Sequence, residues 1–294
     1  MDVLLQDLRF AVRTLVTTPL LSVLAIVCLA LGIGANASMF SIVDGVLVKP
    51  FPFTDPDRIV VLTETNQRNG IDDGAMSYPN FRDVRERART VTGVAVETGR
   101  TLSVMDGAEA VRLRGTVVSW NLFDLLGIRP ALGRAFREGD DRPGAPGVII
   151  LSDAVWRSRY HADGTVVGRT VIVNDVPHTV IAVMPPRFAF PEQSDAWVPA
   201  APIHHAQPRA DRLFRVYARL APGATYEQAR DEMRRVGGRL ASAHAENAGW
   251  SVDALTLADD LLPDQPRIVT MAAMGAVSLV LLIACANVAN LLLA

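Results

Sequence analysis

Cysteine is scarce in this chain: there are two among 294 residues, Cys28 and Cys285, and each lies inside a long apolar run. The polar part of the chain therefore contains no thiol. A disulfide framework, a Cys-x-x-Cys redox pair and a cysteine-ligated metal site are all excluded for that part.

Lysine is almost absent as well, because Lys49 is the single lysine and it follows Val48. A phosphate-binding Walker A loop needs a Gly-Lys pair, so this chain cannot bind ATP in that way. Lys and Arg number 29 against 31 Asp and Glu, which gives a net charge of −2. Since there is no positive excess, the composition predicts no nucleic-acid partner.

Catalytic and metal-binding motifs are also missing. The sequence contains no His-Glu-x-x-His, no Cys-x-x-Cys and no Gly-x-Ser-x-Gly. The five histidines are scattered, and the pair His204-His205 is typical of a solvated loop. We therefore predict that the chain has no catalytic, cofactor-binding or metal-ligating residue and is not an enzyme.

Hydrophobic residues, in contrast, make up 50% of the chain, and its mean hydropathy of +0.23 is high for a soluble protein. The excess lies in two runs without charge, from Thr14 to Val43 and from Ile268 to Ala294. At about 1.5 Å per residue, a helix over either run could cross a hydrocarbon core of about 30 Å. We predict transmembrane helices over residues 19–45 and 268–294, embedded in a lipid bilayer.

A cleaved signal peptide is the alternative for the first run, because Ala35-Asn36-Ala37 fits the small-residue cleavage pattern. The chain stays apolar beyond that point up to Val48, which a retained helix explains better. Residues 1–18 have apolar positions at helical spacing, so we predict an amphipathic leader helix on the cytoplasmic side. Arg9 and Arg13 in this leader favour a cytoplasmic N-terminus.

Small residues in the first run occur at four-residue spacing, at Ala30, Gly34 and Ser38. This spacing predicts a helix face that another helix can approach closely. The stretch Gly32–Ala37 also matches a dinucleotide-binding fingerprint, but the fingerprint needs a short strand before it and a βαβ unit around it. Because the apolar run extends on both sides of the glycines, we interpret the small residues as a packing face.

Two amides in the second run, Asn287 and Asn290, lie one helical turn apart. Amide side chains at that depth of a membrane face protein or water instead of lipid. We predict that they form hydrogen bonds between helices and so, like the small residues of the first run, have a structural role.

Between the runs, residues 46–266 have ordinary polar composition. The pairs Asp106-Gly107 and Asn174-Asp175 predict two β-hairpin turns. A capping box that begins at Thr225 predicts the start of a long helix. Helix signals lie near both ends and strand signals in the middle. The predicted fold class is α+β: a mixed α/β extracytoplasmic domain with a β-rich subdomain inserted at about residues 100–210, flanked by the two transmembrane helices.

Local patterns also predict individual elements of this domain. Ser77 is a predicted helix N-cap, and Ser152 or Asp153 is predicted to cap a second helix. The predicted strands include Ile59–Thr63, Thr101–Met105, Ala110–Val118, Val148–Leu151, Thr170–Val173, His178–Val183, Phe214–Leu220 and Val252–Leu257. The long helix carries four arginines that are typical of a solvated face: Arg230, Arg234, Arg235 and Arg239.

Short stretches spread over nearly the whole chain carry a family pattern. They are Leu31–Asn36, Phe40–Val43, Pro56–Arg58, Phe123–Ile128, Leu132–Phe136, Val167–Thr170, Val183–Pro186 and, as the most specific, Leu281–Leu292. In these stretches the sequence resembles MacB/FtsX-type permeases of ABC transporters, and within them the orphan permeases abundant in acidobacteria. Ala182, where a glycine is usual, and the turn His161–Gly164 depart from the pattern, and both affect loop geometry alone.

The resemblance implies a multi-pass permease subunit in the bacterial inner membrane whose main domain is a periplasmic core domain. ATP would be bound by a separate cytoplasmic ABC ATPase, so this chain would need no cofactor of its own. The resemblance further implies a second permease copy or module as a partner and allows a periplasmic fusion protein. Family members continue past the second helix, so we expect this chain to be the N-terminal portion of a longer protein.

A rival hypothesis has the same topology: a two-span membrane sensor or receptor with an extracytoplasmic ligand-binding domain. The match of the second apolar run to the permease pattern favours the permease. Export and mechanical work on the cell envelope both remain open for such a subunit, and the sequence selects no substrate.

Overall fold

The computed structural model describes residues 23, 26, 27, 30, 32–38, 53–107, 109–188, 190, 191, 193–261 and 264–293. The chain divides into two compact units, one formed by Phe51–Asp260 and the other by Met1–Pro50 together with Leu261–Ala294. The predicted leader helix at residues 1–18 lies outside the described residues, as does most of the predicted span at 19–45.

Twelve strands are described in the Phe51–Asp260 unit. They are β1 (Ile59–Asn66), β2 (Ile71–Gly74), β3 (Met76–Ser77), β4 (Val91–Asp106), β5 (Glu109–Val118), β6 (Leu132–Gly133), β7 (Gly147–Leu151), β8 (Thr170–Val173), β9 (Val176–Val183), β10 (Ala196–Pro199), β11 (Arg212–Leu220) and β12 (Ser251–Thr256).

Described α-helices lie between and after these strands. They are α1 (Tyr78–Arg87), α2 (Leu122–Leu126), α3 (Asp153–Tyr160), α4 (Ala201–His204), α5 (Tyr226–Ala243), α6 (Leu257–Leu261) and α7 (Asp264–Leu293). Short 3-10 turns occupy Pro56–Arg58, Gln67–Asn69, Glu138–Asp140, Gly164–Val166 and Ala245–Asn247.

The strands form one sheet in the order β12-β1-β11-β4-β5-β10-β7-β9-β6, with β2 beside β1, β3 beside β11, and β8 beside both β4 and β9. The pairs β5–β10 and β7–β9 are parallel, and the other described pairs are antiparallel. Strands from the two ends of the domain sequence, β1, β11 and β12, therefore lie together at one end of the sheet.

Apolar side chains fill both faces of this sheet. In β1, Val60 and Leu62 belong to one buried cluster, which also contains Phe81 and Phe214. The alternate residues of β1 belong to a second cluster, built around Phe123 and Trp197. Because successive side chains of a strand point to opposite faces, the continuous apolar run of β1 buries both faces at once.

Local signals in the sequence are confirmed where they are strongest. The Asn174-Asp175 turn joins β8 to β9 with φ values of 46° and 66°, and Gly107 adopts φ 66° in the turn after β4. Ser77 and Ser152 accept hydrogen bonds from Asn80 N and Val155 N at the helix starts.

The prediction for β4 was wrong at its start. The strand begins at Val91, ten residues before the expected Thr101, because Gly93 and Gly99 hide its pattern. The mixed α/β domain is confirmed, whereas the boundaries of an inserted subdomain at about 100–210 stay a prediction.

In the other unit, residues 32–38 are helical, and α7 runs from Asp264 to Leu293. Asn36 Nδ2 donates to Gly32 O of its own helix at 2.9 Å and to Val277 O of α7 at 3.0 Å. A helix with the length and apolar character needed to cross a membrane is not found among the described residues.

Candidate functional site

A bulge interrupts the pairing of β4 with β11. Tyr217 lies opposite Ala95, but two residues further on Arg219 lies opposite Thr92, so β4 holds one extra residue there. Gly93 provides the left-handed backbone for it, with φ 62°. A bulge bends its strand and leaves a backbone group without a partner in the ladder.

Asn121, just before α2, supplies a donor at this bulge. Its Nδ2 donates to Val94 O at 3.0 Å, and the residue is 9% exposed. Its Oδ1 is buried and has no hydrogen-bond partner among the described residues. The side chain therefore holds the start of α2 against the bulged strand.

Asp141 fixes the residue before Asn121. One carboxylate oxygen accepts a hydrogen bond from Trp120 N at 3.0 Å, and the other accepts from Ala201 N at 2.6 Å. Burial raises the pKa of Asp141, while these backbone donors and the nearby charge of Arg85 oppose the rise. The carboxylate links Trp120 to the start of α4.

Arg219 ties the same region to the segment that leads into the domain. Its Nη2 donates to Leu125 O and to Thr54 O, each at 2.6 Å, and its Nη1 donates to Asp55 O at 3.2 Å. One guanidinium thus connects β11 with α2 and with the residues before β1.

A cavity of about 550 Å³ lies between the bulge, the end of α1 and the start of α2. Its charged lining residues are Arg85, Asp124, Glu138 and Arg219, and its walls include Thr92, Val94 and Trp120. Glu138 pairs with Arg142 at 3.0 Å, and Arg219 is engaged by carbonyls. Arg85 lies over the Phe81 ring, and neither Arg85 nor Asp124 forms an ion pair within the described residues.

A second polar cluster is buried, and its side chains are hydrogen-bonded to one another. Glu64, 1% exposed, accepts hydrogen bonds from Asn80 Nδ2 at 2.6 Å and from Arg212 Nε. Asn80 and Asn247 exchange two hydrogen bonds of 2.9 Å. Burial raises the pKa of Glu64, and the hydrogen bond from Asn80 and the charge of Arg212 oppose this rise. The space beside this cluster is about 10 Å³, which leaves no room for a ligand. The cluster therefore has a structural role: it connects the strands and helices that carry these side chains.

The predicted helix-packing residues lie elsewhere. Ala30, Gly34 and Ser38 are exposed, and a Cβ added to Gly34 would meet none of the described residues within 4 Å. Contact with α7 is made instead by Asn36. A packing role of Ala30, Gly34 and Ser38 toward another chain stays a prediction.

Asn287 and Asn290 lie in α7, and their side chains are outside what the structure describes. A group of His, Cys, Asp and Glu side chains that could hold a metal ion does not occur among the described residues.

Sequence reasoning missed the cavity altogether. Trp120 and Asn121 stand between a strand and a short helix and belong to no sequence motif themselves, and Gly93 lies inside a strand. An isolated glycine within a strand pattern is the one local signal that could have indicated the bulge.

Comparisons with known proteins identify the domain. The sequence profile of the MacB-like periplasmic core domain matches residues 22–236. No match is found among curated proteins. Among solved structures, the chain is similar to the periplasmic region of MacB from Actinobacillus actinomycetemcomitans, with a TM-score of 0.53, 15% identity, and coverage of 76% of this chain and 95% of that one.

A domain assigned to a permease protein from Porphyromonas gingivalis is also similar, with a TM-score of 0.52, 14% identity, and coverage of 71% of this chain and 93% of that one. At such identities the structures establish the fold, and the profile match establishes the relationship. The chain therefore belongs to the family of MacB-like periplasmic core domain proteins, the MacB/FtsX-type ABC transporter permeases.

Proposed function

We propose that this chain acts in a permease subunit that couples a separate cytoplasmic ABC ATPase to a periplasmic domain. The family membership supports the permease role, and the matched family is that of a periplasmic core domain, which supports the periplasmic location of the domain. The work done by the subunit would be export of a substrate or transmission of mechanical force to the envelope.

The observation that carries this proposal is the placement of the two ends of the domain. Val60 at the start of β1 lies opposite Thr256 at the end of β12, in an antiparallel pair that continues to Thr65 and Ser251. The chain therefore enters and leaves the domain through neighbouring strands. A relative movement of the flanking segments would act directly on this pair.

Arginines connect the incoming segment to the rest of the domain. Arg58 donates to Leu220 O at 2.6 Å, and Arg219 binds the carbonyls of Thr54 and Asp55. A displacement of these residues would consequently reach β11 and α2 without passing through a flexible loop. Such a connection suits a subunit that relays motion.

In this proposal the chain itself performs no chemistry. It lacks a Walker A loop, and ATP would be bound and hydrolysed by the partner ATPase. A second permease copy or module would complete the membrane part, with a periplasmic fusion protein as a further partner.

The test uses the natural protein that contains this chain, extracted from membranes with an affinity tag. We expect an ABC ATPase to copurify, and we expect its hydrolysis rate in the complex to exceed that of the ATPase alone. Arg219→Met should retain the partner but lose part of the stimulation, whereas Arg239→Met, on the exposed side of α5, should retain both. Copurification of a signalling kinase without an ATPase would support the sensor hypothesis and overturn the permease proposal.

A further inference from the structure

We propose that the cavity lined by Arg85, Trp120 and Asp124 binds a neutral saccharide. This inference concerns the domain alone and does not depend on coupling to an ATPase. It rests on three observations: the opposite charges of Arg85 and Asp124, the aromatic side chain of Trp120, and the hydrogen bonding of β4 behind the cavity.

The charges around the cavity are of both signs. Asp124 and Arg85 have no ion-pair partner within the described residues, and both side chains are exposed at the cavity. A ligand of a single charge would be attracted by one group and repelled by the other. Vicinal hydroxyls, in contrast, can donate to a carboxylate and accept from a guanidinium at the same time.

Trp120 gives the cavity an apolar wall. Its side chain is partly exposed and packs against the buried cluster around Phe123. Asp141 accepts a hydrogen bond from the backbone N of Trp120, which holds the chain in place at this wall of the cavity. A pyranose presents flat C–H faces, which suit the face of an indole ring, because that face carries partial negative charge and the C–H groups carry partial positive charge.

The strand behind the cavity argues against an extended peptide. Beside the cavity β4 is paired with β11 on one side. On its other side Val94 O accepts a hydrogen bond from Asn121 Nδ2, and Val96 N donates to Ser119 Oγ. These side chains occupy the edge that an added strand would need. The cavity also lacks the cluster of unpaired arginines that recognises phosphate or acidic motifs, since Arg219 is engaged by carbonyls. A volume of about 550 Å³ lies within the range of small-molecule sites.

The experiment measures binding by isothermal titration calorimetry with the full chain in a polyoxyethylene detergent, which carries no sugar. The probes are maltose, a β1,4-linked N-acetylglucosamine disaccharide and, as a non-saccharide comparison, the tripeptide Gly-Leu-Gly. We expect saturable binding of at least one disaccharide and none of the tripeptide. Trp120→Leu and Asp124→Asn should each weaken binding about tenfold or more.

Matched variants separate ligand contacts from folding. Asp231→Asn changes an exposed carboxylate on α5, outside the cavity, and should leave binding unchanged. If Trp120→Leu lowers the melting temperature, Arg85→Gln provides a second test. Because Arg85 is exposed, this substitution should weaken binding without unfolding the domain.

The proposal is overturned if neither disaccharide binds at concentrations up to about 10 mM, since a Kd above that corresponds to less than about 3 kcal/mol of binding free energy. It is equally overturned if the tripeptide binds and the disaccharides do not. Equal weakening by Asp231→Asn and Asp124→Asn would place binding outside the cavity. Each of these results would leave the permease proposal unaffected.

Discussion

At the residue scale, Asp253 in β12 binds arginine side chains that the sequence pattern placed on a solvated face of α5. Its carboxylate accepts hydrogen bonds from Arg230 Nε at 2.9 Å and from Arg234 Nη2 at 3.0 Å. Two of the four arginines expected on a solvated face of α5 are therefore bound to the neighbouring strand. The pattern identified their helix face correctly but could not reveal the acid in β12.

The pKa of Asp253 makes this contact testable. Burial opposes its ionisation, but the hydrogen bonds from Arg230, Arg234 and the backbone outweigh burial and lower the pKa. The folded state therefore holds the proton less tightly than the unfolded state. The stabilisation is complete above the unfolded pKa of about 3.9 and is lost as the pH falls through the lower, folded pKa.

We accordingly predict that Asp253→Asn lowers the free energy of unfolding by about 1 kcal/mol at pH 7, since the arginines are partly exposed and screened by solvent. The difference from the wild type should shrink as the pH falls below about 4. Urea unfolding at a series of pH values measures this. A difference that stays constant with pH, or an equal effect of the exposed control Asp231→Asn, would contradict the ion-pair explanation.

At the element scale, α5 crosses β12 closely at one glycine. A Cβ added to Gly237 would lie 2.3 Å from Val252 N, whereas one added to the adjacent Gly238 would meet nothing within 4 Å. Both glycines are in the same helix, so their helix propensities are equal. The two positions differ in their surroundings, because the backbone of β12 lies against Gly237 and not against Gly238.

We predict opposite effects of the same substitution at these sites. Gly237→Ala should destabilise the domain by about 2 kcal/mol, because the backbone of β12 must shift. Gly238→Ala should stabilise it by about 0.5–1 kcal/mol through helix propensity alone. Thermal unfolding of the two variants provides the measurement, and shifts of the same sign would refute the close approach.

A second prediction at this scale concerns the small residues of the first helix. Since a Cβ added to Gly34 meets no described residue within 4 Å, Gly34→Leu should leave membrane insertion and the fold of the chain unchanged. The substitution should weaken association with another helix and reduce ATPase stimulation in the full protein, because a leucine at this position would prevent the close approach that small residues allow. Crosslinking between copies in membranes measures the association.

The control for this substitution is Val27→Leu, at an exposed position that is already bulky. It should have almost no effect. If Gly34→Leu and Val27→Leu give the same crosslinking yield, Ala30, Gly34 and Ser38 do not form a packing face.

At the scale of the whole molecule, the Phe51–Asp260 unit contains its own core and neither cysteine. We predict that a fragment of residues 53–260 folds alone with one cooperative thermal transition, because a domain of about 200 residues buries most of its apolar surface. A reducing agent should leave the transition temperature unchanged. Aggregation of the fragment, or a transition that depends on the reductant, would show that this unit needs the rest of the chain.

Much of this domain follows from short stretches of sequence. The turn at Asn174-Asp175, the caps at Ser77 and Ser152, and the capping box at Thr225 are determined locally, since each depends on a side chain and a backbone group at most three residues away. Likewise, the sequence alone predicted the position of β11 and the mixed α/β class, because apolar periodicity is a property of consecutive residues.

Only the tertiary structure decided the cavity. The bulge at Gly93 lies in the pairing of β4 with β11, where Thr92 is opposite Arg219, 127 residues later in the chain. Asp141 meets Trp120 and Ala201 across separations of 21 and 60 residues. Contacts over such distances depend on how the strands are ordered in the sheet, and no local pattern in the chain encodes that order.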